Sequence, residues 1–212
     1  MANEFQRVTV LLKEAVRETL DTLRSKHPNE LFYAFALYDA DGDSVCPSAN
    51  TEERYGASIK KQGLNGSPKR IYYRWGTAEW AYEAIEFGPF EQAREILRAA
   101  QRERWIEFQV QSFSASILAL KELSDEGYFG DGDSRITAFF SLSDDDNSFW
   151  LERESARRIN PPATFAVWES EWREGWTAIR GNLEIDGGEF AEAFIRLLGP
   201  GLPLNRSQGH PT

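Results

Sequence analysis

The chain has one cysteine and two histidines among 212 residues. A lone Cys46 excludes an intrachain disulfide and fits a reducing compartment. His27 sits beside Pro28 at a helix end and His210 lies near the C-terminus, and neither neighbours a serine or cysteine motif for nucleophilic catalysis. Zinc-ligand spacing, a phosphate loop and a dinucleotide glycine fingerprint are all missing, so no metal or cofactor is expected. No stretch approaches the apolar length of a membrane span. Met1 to Arg7 lack a basic region followed by an apolar run, so no signal peptide is expected and the expected location is cytoplasmic. Positive charge is also short: 24 Lys and Arg face 34 Asp and Glu, for a net charge of −10. Such a surface repels nucleic acid and anionic membranes. It suits solubility, and it speeds encounter with a basic partner.

What is present describes a globular protein. Hydrophobic residues make up 41% of the chain and charged residues 27%, enough to bury a core without disulfides or metals. Phe5, Val8, Leu12, Ala15, Val16, Leu20 and Leu23 recur at three- and four-residue steps and predict a helix that ends at His27-Pro28. Leu31 to Asp39 is nearly all apolar and reads as a central strand buried on both faces. Asp39 to Asp43 reads as a turn, and Ser44 to Pro47 as a returning strand. Asn50 reads as the N-cap of a helix, with Glu53 reaching back as in a capping box. Ile71 to Trp75 reads as a short strand, followed by a helix from Thr77 to Phe87. A helical pattern from Phe90 to Leu123 carries a charged interruption at 101–104 and reads as one helix or two. Arg135 to Ser141 and Ala163 to Trp168 read as strands. A helix is expected between them, up to Ile159. The tail from Trp172 to Leu198 carries two helical pieces, the second capped by Asp186. Few strands and much helix, in mixed order, predict an α+β fold: a small, largely antiparallel sheet covered by several helices, with a helical C-terminal extension.

Three blocks carry a family likeness: Tyr33 to Asp39, Pro47 to Glu53, and Arg74 to Tyr82. With Leu118 to Gly130 and Ser155 to Pro161, they resemble the bacterial domain-of-unknown-function family 4303, over roughly residues 5–162. The resemblance implies a small soluble bacterial protein and brings no activity. Families of this type resemble immunity and accessory proteins found beside toxins. The expected division is a main domain over 1–162, an extension over 163–200 packed on it, and a disordered tail over 201–212.

The densest aromatic stretch, Ile71 to Glu83, holds two Trp, three Tyr, one Arg and two Glu. Trp75, Trp80 and Tyr82 suit stacking on a ligand, and Arg74 offers a fork for a carboxylate or phosphate. Asn50, Glu52, Arg74, Trp75, Glu79 and Trp80 define a candidate ligand cleft. Core packing, with Arg74 paired to a local Glu, is the competing reading. Glu79 and Glu83 fall one helical turn apart, as general acid–base pairs can, but helical Glu pairs are abundant. Asp39, Asp41 and Asp43 do not fit a calcium loop, because glycine is fourth and Asn50 is twelfth. Trp168, Trp172 and Trp176 recur every four residues, giving an apolar face that is either docked on the domain or offered to a partner.

The leading expectation is a non-enzymatic protein of the acidic immunity type that occludes a basic, toxin-like partner. Its candidate contact residues are Asp144, Asp145, Asp146, Glu169, Glu171, Trp172 and Trp176. The alternative is a small-ligand-binding or enzymatic domain with its cleft around Arg74 to Trp80.

Overall fold

The computed structural model describes residues 2–101, 105–143, 148–181, 185 and 188–198. The fold is α+β, as the pattern of few strands and many helices predicts. Helix α1 (Ala2–Lys26) carries the expected apolar stripe into the core. It leads to strand β1 (Phe32–Asp39), which is central and buried on both faces as expected. The Asp39 carboxylate closes the following turn: Oδ1 accepts from the amides of Asp41 and Gly42, and from the Ser44 amide and hydroxyl. The three aspartates are therefore turn chemistry.

Strand β2 (Cys46–Thr51) returns antiparallel to β1. Helix α2 (Glu52–Lys61) follows, and its N-cap is Thr51, whose Oγ1 accepts from Arg54 N at 3.2 Å. Asn50 is still in the strand, and Glu53 accepts from Leu31 N instead of reaching back to a cap. The expected N-cap is thus displaced by one residue, and no capping box forms, because Arg54 stands three residues after Thr51.

The stretch from Ile71 to Trp75 is a helix and not a strand: α3 (Arg70–Trp75). Its aromatic residues favour strands in isolation, but its backbone packs against a later helix and tertiary contact decides. The expected helix from Thr77 to Phe87 is also absent. A single 3-10 turn at 77–79 leads into the two-residue strand β3 (Tyr82–Glu83), which pairs with β2. Glu79 and Glu83 consequently share no helix face, and Phe87 is exposed.

The long helical pattern is two helices, α4 (Glu91–Ala100) and α5 (Trp105–Asp125). Strand β4 (Thr137–Leu142) runs parallel to β1 on its other side, giving the order β3-β2-β1-β4. Helix α6 (Ser148–Ile159) then lies along the outer edge of β4. Its Ser155 hydroxyl accepts from Phe140 N at 2.9 Å and lies 3.1 Å from Phe140 O. Asn160 accepts from Ala138 N at 3.1 Å and donates to Ala138 O at 2.7 Å.

The expected strand from Ala163 to Trp168 is the start of a helix, α7 (Pro162–Arg180). Proline is favoured at a first helical position, where its missing N–H costs nothing, and the four-residue Trp period extends back through this segment. Helix α8 (Gly188–Leu198) ends the described chain. The expected cap Asp186 and the tail over 201–212 lie outside the described residues.

Two layers cover the sheet. On one face, α1, α4, α5 and α8 pack around Phe35, Leu37, Ala138 and Phe140. On the other, α3 and α7 pack around Ala34, Ala36 and Phe139. A register irregularity between Phe32 and Ala34 turns Tyr33 into this second layer beside Ala34. Helix α7 is thus part of the core. Gly175 sets its approach to α3: a Cβ there would lie 2.7 Å from Tyr72 N and 2.9 Å from the Ile71 carbonyl carbon.

Candidate functional site

Arg74 is the hub of the aromatic layer. Its two terminal nitrogens donate to the two oxygens of Glu52 at 2.9 and 2.6 Å, and its Nε lies 3.5 Å from Glu171. The guanidinium sits over the Tyr33 ring, 4.1 Å from its centre, with Tyr55 and Trp75 beyond. Burial would weaken its charge, but the Glu52 fork and the neighbouring carboxylates outweigh that and raise its pKa. This is the local Glu pairing of the packing alternative. Trp75 and Trp80 are both buried. Trp75 donates to Glu171 Oε2 at 3.0 Å, and Trp80 donates to the Arg74 carbonyl at 2.9 Å. Asn50 is buried too and donates to the Tyr33 hydroxyl, which donates in turn to the Arg74 carbonyl.

Half of the expected ligand set nevertheless borders a cavity. A cleft of about 560 Å³ opens between α7 and the end of the sheet where β1 and β4 begin. Glu52, Arg74 and Trp75 line it together with Glu171. Asn50, Glu79 and Trp80 do not, because their side chains belong to the packing around it or to the 77–79 turn. Tyr33, Phe32 and Trp168 give the cleft an aromatic wall. Leu31 and Val167 stand at it with 52% and 63% of their surface exposed.

Three further lining residues escaped the sequence reading, Ser134, Arg135 and Thr164, while Trp168 was read as part of an apolar face and not of a cleft. Arg135 donates to Gly130 O at 2.8 Å and to Ser124 Oγ at 2.5 Å. Burial pushes its pKa down, opposed only at longer range by Asp125 and Asp131. A lone Arg before a strand gives no signal on its own. The Pro-Pro pair can mark the start of a helix, but only the tertiary fold sets that start beside the strand.

The Trp residues of α7 divide by depth. Trp168 and Trp172 are buried and stacked, with ring centres 5.2 Å apart. Trp172 is therefore a core residue and not a partner anchor. Its indole donates at 2.7 Å to Glu152 Oε2, and Glu152 Oε1 accepts from Ser141 at 2.5 Å. Burial pushes the Glu152 carboxyl up to about 7, against the help of these two donors. Trp176 is only partly buried. It packs edge-on against Tyr72 and Phe149 and lines a second cleft of about 430 Å³, with Glu152 and Arg180.

Glu169 is held by Arg153 at 2.5 Å and reached by Arg173 at 3.4 Å, so its charge is compensated locally. Asp144, Asp145 and Asp146 lie outside the described residues. Among the described residues, no group of three or more His, Cys, Asp or Glu side chains is placed to hold a metal. None of the described helices is long and apolar enough to cross a membrane.

A family model described as a domain of unknown function (DUF4303) matches residues 12–161. No curated protein matches the chain. No solved structure matches it either.

Proposed function

This chain belongs to the DUF4303 family, and since membership brings no activity with it, we propose that it is a bacterial, cytoplasmic, non-enzymatic interaction protein of the acidic immunity type. It binds and occludes a basic, toxin-like protein, and neither nucleic acid nor membrane is its target. The docking face is the 560 Å³ cleft beside α7. One observation carries this reading: Leu31 and Val167 hold more than half of their surface in water at a cleft that also presents Glu52 and Glu171. Exposed aliphatic side chains bordering a concave aromatic wall mark a contact surface more than a solubility surface. The net charge of −10 steers a basic partner towards it.

The experiment is capture of partners from the native lysate, comparing the unaltered chain with Val167→Arg and with Ile195→Arg, an exposed site on α8. A stoichiometric basic partner is expected on the unaltered chain and on Ile195→Arg. It should be absent from Val167→Arg and released at high salt. Retention by Val167→Arg would remove the cleft from the proposal. Absence of any basic partner under conditions where the neighbouring genes are expressed would sink the immunity reading.

A second reading, a small-ligand-binding domain, is favoured by one specific observation. Glu52, Arg74 and Trp75 face the same cavity, although internal hydrogen bonds already engage all three.

A further inference from the structure

The α7 end of the cleft gathers hydrogen-bond donors that the chain itself leaves unanswered. Helix α7 starts at Pro162 with no side-chain cap and no acidic residue in its first turn. Ala163 and Thr164, which follow the proline, both line the cleft. A helix N-terminus in this state carries free N–H groups and the positive end of the dipole. Arg135 lines the same cavity. Its Nε has no acceptor, and no carboxylate lies within 4.0 Å of it among the described residues. Trp168 is the third donor. It is 1% exposed, it lines the cleft, and its indole N–H has no acceptor. A buried donor left without an acceptor is costly, and so is a cation whose opposite charges stay at a distance. Asp131 also lines this cleft but is exposed and makes no ion pair among the described residues, so water screens it.

We propose that this end of the cleft is an oxyanion subsite, which takes the carboxylate or phosphate group of a small ligand on Arg135, the first turn of α7 and the Trp168 indole. Each donor suits a negatively charged oxygen, and a guanidinium beside a helix N-terminus is a strong combination for one. The subsite gives the small-ligand reading a chemical class. It is independent of the protein partner, because its test needs no partner.

The test is an NMR titration of the full chain with sodium acetate and, separately, sodium phosphate, at ionic strength held constant with chloride. Saturable shifts are expected at the Ala163 and Thr164 amides and at the Trp168 indole N–H. Ala163→Asp places a carboxylate in the first turn, where it competes for the same N–H groups while favouring the helix. Arg135→Gln removes the charge. Each should weaken binding roughly tenfold or more, the scale of a lost charge-assisted hydrogen bond. Saturation by acetate alone assigns a carboxylate ligand, and saturation by phosphate alone assigns a phosphoryl ligand. Saturation by neither, or an unchanged titration in Ala163→Asp, overturns the subsite. If Arg135→Gln unfolds, the Ala163→Asp comparison decides. A failed titration leaves the capture experiment untouched, so the two proposals fall separately.

Discussion

The two layers on the sheet are built from different materials. In the α1–α5–α8 layer, 10 of 33 buried core residues are aromatic and none is tryptophan. In the α3–α7 layer, 7 of 10 are aromatic and four are tryptophan. Leu, Val and Ala fill space in small increments and carry no polar side-chain atoms, so packing them asks for no side-chain hydrogen bonds. Tryptophan is large, rigid and carries an N–H that wants a partner. The second layer accordingly contains Glu152, Arg74 and the unanswered indole of Trp168, and both clefts border it. The smooth layer holds the fold, and the irregular layer has the features of a site.

The sharpest way to break this contrast is to damage the smooth layer. Leu120 is fully buried, and Leu120→Ala should cost about 2–5 kcal/mol through lost burial and a cavity. A urea midpoint within error of the unaltered chain would show that this layer is not the main source of stability.

Next in size is the Glu152 carboxyl. Between its ordinary value of 4.5 and about 7, the folded chain holds a proton that the unfolded chain has released. Stability from this group is therefore largest below 4.5 and lost as the pH rises to about 7, by roughly 3 kcal/mol. Asp39, also raised by burial, acts in the same sense. Glu30, Glu126 and Glu154 are lowered and act in the opposite sense, weakening the fold below the ordinary carboxylate range. Melting temperature should thus fall between pH 5 and pH 8, and Glu152→Gln should flatten that slope. An equal slope in the variant would assign the effect elsewhere.

Gly175→Ala comes third. The new Cβ meets the α3 backbone, which cannot swing aside like a flexible side chain, and overpacking of this kind costs about 1–3 kcal/mol. A neutral result would mean that α7 can shift on its bed. The smallest effect belongs to Arg173→Ala, which removes an exposed partner of Glu169. It should change stability by less than about 0.5 kcal/mol. A larger loss would mean that surface charge, and not the tryptophans, fastens α7.

These contrasts were unevenly legible in the chain. The period of α1 and the apolar run of β1 stood out because each buries its pattern in one way, a stripe for a helix and both faces for a central strand. Residues 71–87 misled because aromatic density fits a strand or a core helix equally well, and contact with α7 settles the choice from a distance of about a hundred residues. The Trp168–Trp172–Trp176 spacing correctly put three rings on one helix. Pro162 begins that helix instead of closing the previous one, so its first turns were read as strand. The cleft was half visible, through Glu52, Arg74 and Trp75. Arg135 and the start of α7 were not, because only the tertiary fold brings a strand entrance against a helix N-terminus.

The side chains of Ser155 and Asn160 occupy the outward backbone groups of Ala138 and Phe140, the positions where a further strand would hydrogen-bond to β4. The sheet is therefore finished on that side by a helix acting as a false last strand. A partner cannot join the molecule there by adding a strand of its own, and two copies cannot zip together through β4 as exposed edges do in aggregation. A partner that docks along this edge must recognise side chains.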